Sequence, residues 1–124
     1  MNIIDSSLWL EYFSGTLTND DVLGIIEDAA SQYVPSVCLY EVYKRMLTDR
    51  DESAALSSVS FMQNAVVVSI TPQIAILAAR LGKAFRLPMA DSIIYATAQT
   101  HNAKIYTQDK HFEGLGNVQY LPKP

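Results

Sequence analysis

The sequence predicts an α/β fold: a three-layer α/β/α sandwich around a mostly parallel, roughly five-stranded central sheet, in one domain spanning residues 1–124. Three observations point there. Short apolar runs such as Ile3-Ile4 and Val66-Val67-Val68 alternate with longer segments whose apolar residues recur at helical spacing. No repeat, linker or shift of composition divides the 124 residues, a length that suits one compact domain. Apolar residues make up 49% of the chain and charged residues 18%, enough to build a core without cross-links.

The elements follow in chain order. Ile3-Ile4 reads as a strand that ends at the capping residues Asp5-Ser6-Ser7, and Leu8 to Phe13 as a helix closed by Gly15. Asn19-Asp20-Asp21 start a second helix carrying Val22, Leu23, Ile25, Ile26 and Ala29. Tyr33-Val34-Pro35 is a brief strand with Ser36 as the next cap, followed by a helix from about Val37 to Thr48 and another from Asp51 to Gln63. The β-branched run Val66-Val67-Val68 predicts a strand buried on both faces. Thr71-Pro72 cap and start a helix with Ile74, Leu77, Ala78, Leu81 and Phe85 on one side. Pro88 is a first-turn residue for a helix running to about His101. Ile105-Tyr106-Thr107 and Val118 to Leu121 are the last strands, with a short helical turn between them near Lys110 to Glu113.

Composition excludes several classes. The single cysteine, Cys38, leaves no internal disulfide and no cysteine-rich zinc site, and its apolar neighbours predict a small buried residue in a reducing compartment. No stretch approaches the roughly 18 apolar residues of a membrane span, and the N-terminus lacks the features of a signal peptide. A cytoplasmic location is expected. Nine basic against 13 acidic residues argue against binding nucleic acid by bulk charge.

In parallel sheets, ligands bind beyond the carboxyl ends of the strands, near a topological switch point. Asp5 and Asp109 follow strands directly, Asp91 lies in the first turn of its helix, and Glu41 lies about one turn into the helix after the second strand. Each acid has an ordinary explanation. Asp5 and Asp109 suit caps, Asp91 suits a helix dipole, and Glu41 can pair with Arg45 at i+4. The surroundings favour a different one. Glu41 lies among Val37, Cys38, Leu39, Tyr40, Val42 and Tyr43, and Asp91 between Met89-Ala90 and Ile93-Ile94. Buried carboxylates need neutralising, and a set of oxygen ligands suits Mg²⁺ or Mn²⁺ better than zinc.

Ile3-Ile4-Asp5-Ser6-Ser7, Glu41, Leu87-Pro88-Met89-Ala90-Asp91-Ser92-Ile93-Ile94 and Tyr106-Thr107-Gln108-Asp109 resemble the motifs of PIN domains, above all the small VapC-type toxins of toxin–antitoxin pairs. The resemblance runs over essentially the whole chain, with the motifs in order. It implies a metal-dependent ribonuclease in which Asp5, Glu41, Asp91 and Asp109 form an acidic pocket for one or two Mg²⁺ or Mn²⁺ ions. Asp5 and Asp91 would be direct ligands, Asp109 a direct or water-mediated one, and Glu41 would close the pocket or take the proton of the attacking water. Thr107 and Ser6 would orient these carboxylates. The resemblance also implies adjacent first and fourth strands, an RNA substrate, a homodimer, and a VapB-like antitoxin in a groove beside the pocket. Trp9, Tyr12 and Phe13 are the candidates for lining that groove, against their ordinary role as core. His111 stands where relatives often carry a further acid, and a solvent-facing loop histidine is its simpler reading. His101 suits a helix end.

Lys44, Arg45 and Lys110 lie nearest these acids in sequence and are candidates for RNA-backbone contacts, although Arg80, Lys83 and Arg86 are also available. Setting the four acids aside leaves nine acidic residues against nine basic ones. Two other classes make different demands. A receiver-like phospho-signalling domain needs a phospho-accepting Asp after the third strand, where Ser69-Ile70-Thr71-Pro72 stands. A non-catalytic interaction module on the same fold predicts loss of at least one pocket acid, and all four are present.

Overall fold

The computed structural model describes residues 1–123. β1 (Asn2–Ile4) leads into α1 (Ser6–Ser14) and α2 (Asp20–Ile26), and β2 (Tyr33–Pro35) into α3 (Ser36–Asp49) and α4 (Glu52–Met62). β3 (Val66–Val68) is followed by α5 (Pro72–Phe85) and α6 (Met89–His101), then β4 (Lys104–Thr107) and β5 (Val118–Tyr120). The short turn between the last two strands is a 3-10 helix over Lys110–Phe112.

β1 pairs in parallel with β4 and β4 with β5, while β2 and β3 form a second parallel pair. A parallel bridge between Asn2 and Gln32 sets β2 beside β1, so the strands run in the order β3-β2-β1-β4-β5. Successive strands step one way from β1 to β3, and the chain then crosses back to add β4 on the other side. The switch point therefore falls between β1 and β4. Right-handed crossovers put the first two helical connections on one face of the sheet and the third on the other. The packing agrees: α1 lies on α3, α3 on α4, and α5 on α6. Ile3 and Ile4 point to opposite faces of β1 and both are buried, as a central strand covered on both sides requires.

β3 corrects one expectation. Val66 is 53% exposed and Val67 and Val68 are only partly buried, because β3 is an edge strand with no neighbour on its outer side among the described residues. The helix starts also differ by one residue. Ser36 and Met89 are the first helical residues, and Pro35 and Pro88 occupy the caps, where a missing N–H costs nothing.

Local chemistry sets the helix ends that matter for the site. Thr71 Oγ1 accepts the Ile74 N–H at 3.1 Å, and Pro72 follows in the first turn of α5. Gly15 ends α1 with φ at 79°, a left-handed conformation that glycine adopts without strain. Gly82 of α5 faces the start of α6, where a Cβ would lie 3.3 Å from Ser92 Cβ. Ser92 follows Asp91, so the closeness of α5 and α6 sets the position of that acid.

Gly82→Val is expected to lower stability by about 1–3 kcal/mol through overpacking. Urea unfolding measures this, and an unchanged midpoint would show that α5 and α6 can separate freely.

Candidate metal centre

The topology brings the four acids to one place. Asp5 leaves the carboxyl end of β1, and Asp109 follows β4 beside it across the switch point. α3 starts from the end of β2, which puts Glu41 one turn above the same sheet edge. α6 runs back toward the start of β4, so Asp91 in its first turn lies at that edge too. Asp5, Ser6, Ser7, Glu41, Asp91 and Asp109 line a cleft of about 420 Å³, with Lys44 and Arg45 on its rim.

Hydroxyl groups hold the carboxylates. Asp5 Oδ2 accepts the Thr107 hydroxyl at 2.8 Å and the Ser7 hydroxyl at 2.9 Å. Thr107 Oγ1 in turn accepts the Asp109 N–H at 2.9 Å. The Ser6 hydroxyl donates to Glu41 Oε1 at 2.7 Å. Asp5 occupies the cap position of α1 but makes no side-chain capping bond, so its carboxylate serves the cleft instead. Asp109 does both: its Oδ1 caps the following turn by accepting the His111 N–H at 2.9 Å.

One expectation about pairing is corrected and one is extended. Arg45 bonds to Asp49 at 2.7 Å and leaves Glu41 to Ser6. The i+4 step toward the solvent suits a long guanidinium better than the step back toward a half-buried cleft. His111 is exposed, as its simpler reading has it, but its ring also faces the cleft acids. Its Nδ1 lies 3.1 Å from Asp91 Oδ2 and 2.8 Å from Asp109 Oδ1, and the three residues offer ligand atoms within 4.8 Å of one another. Ser7, a capping residue by its place in the sequence, also joins the site. Its sequence signal is the second hydroxyl in Asp5-Ser6-Ser7, where the helix start turns Ser6 to Glu41 and Ser7 to Asp5.

The remaining candidates divide. Trp9 is 1% exposed and belongs to the core, so it presents no surface to a partner. Tyr12 and Phe13 are half-buried and form with Trp9 and Phe61 a cluster of four rings. Phe13 also lines a groove with Leu10, Met46, Arg45 and Arg50 that adjoins the cleft at Ser7. Lys110 is exposed beside Asp109. Cys38 is fully buried beneath the acids, and that burial holds its thiol well above the ordinary range, so it remains protonated.

The electrostatics are unfavourable without a cation. Burial pushes the Asp5 carboxyl above the ordinary carboxylate range, Thr107 and Ser7 oppose the shift, and the charge of Asp109 adds to it. Burial also raises Glu41, against the Ser6 hydroxyl and with the charges of Asp5 and Asp109. Asp91 is pushed up to about 8 by burial and by the charges of Asp109, Asp5 and Glu41. Among the described residues no Lys or Arg forms an ion pair with these four acids. A divalent cation fits such a donor set, with oxygen ligands and one imidazole nitrogen at hand.

These shifts carry a sign. Between pH 4 and about 8 the folded chain keeps a proton on Asp91 that the unfolded chain has released, so stability falls as pH rises through this window. In EDTA the thermal midpoint is expected to drop from pH 4 to pH 8, and Asp91→Asn to flatten that slope. A midpoint that rises with pH over this range would contradict the electrostatics of the cleft.

A family model described as PIN domain matches residues 3–117. Comparison with curated proteins finds no match. Among solved structures, the chain is similar to a toxin–antitoxin complex from Klebsiella pneumoniae, at 21% identity and a TM-score of 0.79 over 96% of each chain. It is similar to Mycobacterium tuberculosis VapC20, a toxin that cleaves the sarcin–ricin loop, at 13% identity and a TM-score of 0.80 over 98% of this chain and 100% of that one. It is also similar to DNA-bound VapBC from Salmonella typhimurium, at 14% identity and a TM-score of 0.76 over 98% of each chain. These identities speak to the fold, while the family match extends over nearly the whole sequence: the chain belongs to the PIN domain family.

Proposed function

We propose that this protein is a divalent-metal-dependent ribonuclease that hydrolyses RNA phosphodiester bonds, and that it is the toxin of a VapBC-type toxin–antitoxin pair. The observation that carries the reading is the convergence of Asp5, Glu41, Asp91 and Asp109 on one cleft without a Lys or Arg partner among the described residues. Membership of the PIN family and the likeness to toxins and toxin–antitoxin complexes support it.

Asp5, Asp91 and Asp109 would hold one or two Mg²⁺ or Mn²⁺ ions. A bound ion supplies a water of lowered pKa and shields the charge of the scissile phosphate. Glu41, tied through Oε1 to Ser6, is assigned the proton released by the attacking water. Thr107, Ser6 and Ser7 orient the carboxylates from behind, the role that outer hydrogen-bond partners play at metal sites. Lys44 and Arg45 on the rim, with Lys110 alongside, attract the RNA backbone. The groove holding Leu10, Phe13, Met46, Arg45 and Arg50 is the proposed seat of a VapB-like antitoxin, beside the cleft as such an inhibitor requires. A homodimer is proposed from the family likeness alone. No helix among the described residues is long and apolar enough to cross a membrane.

RNA incubated with the purified protein and Mn²⁺ or Mg²⁺ is expected to be cut, with EDTA or Asp5→Ala abolishing the cleavage. Cutting that survives Asp5→Ala would overturn the assignment. Thr107→Val is expected to lower metal affinity or activity about 10–100-fold. Calorimetry is expected to find Mn²⁺ bound more tightly than Mg²⁺, with His111→Ala narrowing the gap, because imidazole favours the transition metal. Equal affinities in the wild-type protein would exclude His111 as a ligand. Induction in bacteria is expected to arrest growth, and Asp91→Asn to relieve the arrest.

A further inference from the structure

A second groove, of about 710 Å³, is lined by Ser7, Gln108, Asp109, Lys110, Tyr120 and Lys123, and adjoins the proposed antitoxin groove at Ser7 and Lys123. It meets the acidic cleft at Ser7 and Asp109, which line both. Gln108 is its unusual member. The side chain is only 7% exposed, yet its Oε1 is buried with no hydrogen-bond partner among the described residues. Buried amide oxygens are ordinarily satisfied, and one left unmatched beside a groove calls for an explanation. Its backbone is held: β4 pairs Thr107 with Tyr120 of β5, and the Gln108 N–H approaches the Ser7 hydroxyl at 3.5 Å. The backbone is thus held, while the carboxamide oxygen stays uncommitted in its pairing among the described residues. A carboxamide offers a donor and an acceptor side by side, which is the pattern that a nucleobase edge complements.

The rest of the groove suits the same ligand. Tyr120 is half-buried on the wall and offers a ring on which a base can stack. Lys110 and Lys123 are exposed at the rim, where backbone phosphates would pass. Sequence-selective RNA recognition works on unpaired bases, by stacking and by hydrogen bonds to their edges.

We propose that this groove is a base-recognition subsite for single-stranded RNA, in which Gln108 reads the edge of a nucleotide next to the cleaved bond and Tyr120 stacks on it. The inference rests on the ribonuclease reading and adds to it the residues that select the cleavage sequence. Gln108 is a specificity residue here and takes no part in the chemistry.

The test is cleavage of a randomised single-stranded RNA pool in Mn²⁺ by the full-length protein, with the cut sites sequenced. Wild-type protein is expected to prefer certain bases at one position beside the cut, and Gln108→Leu to flatten that preference about tenfold. Tyr120→Leu is expected to raise KM and leave kcat nearly unchanged. Both variants are expected to bind Mn²⁺ in calorimetry as the wild type does, which separates reading a base from merely supporting Asp109. Active wild-type protein whose base preference survives Gln108→Leu, with KM unmoved by Tyr120→Leu, overturns the subsite and leaves the nuclease reading intact. A fall in Mn²⁺ affinity in Gln108→Leu assigns it a structural role and likewise overturns the subsite. Wild-type protein that cuts no RNA overturns the nuclease reading, and the subsite falls with it.

Discussion

The hydroxyl of Thr107 ties together residues that lie a hundred positions apart, and the cleft depends on that tie. It donates to Asp5 Oδ2 at 2.8 Å and accepts the Asp109 N–H at 2.9 Å, so one buried side chain sets the spacing of two acids. This is possible because β1 and β4 are neighbours. The Asp5 N–H still bonds to the Tyr106 carbonyl at 2.9 Å, which extends the ladder one step past the end of β1. The parallel pairing has an energetic basis in the core: Ile3, Ile4 and Ile105 are buried with helices on both faces, and a shift of register would expose them. Hydrophobic burial therefore fixes strand order, and strand order fixes the distance between carboxylates.

Around that tie, the protein holds like charges closer than they would settle by themselves. Burial pushes Asp91 up to about 8 and raises Asp5 and Glu41, and the charges of the neighbouring acids add to each shift. Stability gained in the core is used to hold a repulsive cluster, a common arrangement where a cation is to be bound. Net charge conceals the pattern. The overall excess of acids is concentrated in the cleft, while Lys44, Arg45, Arg50, Lys110 and Lys123 line it and its two neighbouring grooves.

Much of this was legible in the order of residues. Alternating short apolar runs and amphipathic segments mark the elements, because period 2 and period 3.6 leave different traces. The position of each acid after a strand or at a helix start marks the sheet edge where they meet. Burial of β3 was not legible. Three consecutive valines look alike in a central and an edge strand, and the number of neighbours is a property of strand order. The partners of Glu41 and Arg45 were obscured for a similar reason. Helical spacing permits a bond at i+4 in either direction, and only the approach of Ser6 from α1 decides it. The contacts of His111 and Gln108 leave no periodic trace, because both residues lie beyond the end of β4.

The order of residues alone points to the class of fold and to four acids at the ends of strands and starts of helices, and the likeness to PIN motifs adds Ser6 and Thr107. These are local properties: spacing, caps and residue chemistry. The packing of distant segments makes Trp9 core, sets Ser7 on Asp5, places His111 between Asp91 and Asp109, and leaves Gln108 a buried oxygen with no partner among the described residues. Each of those depends on contacts between segments far apart in the chain. Such contacts are set by how strands are ordered and helices packed, and no single stretch of residues encodes them.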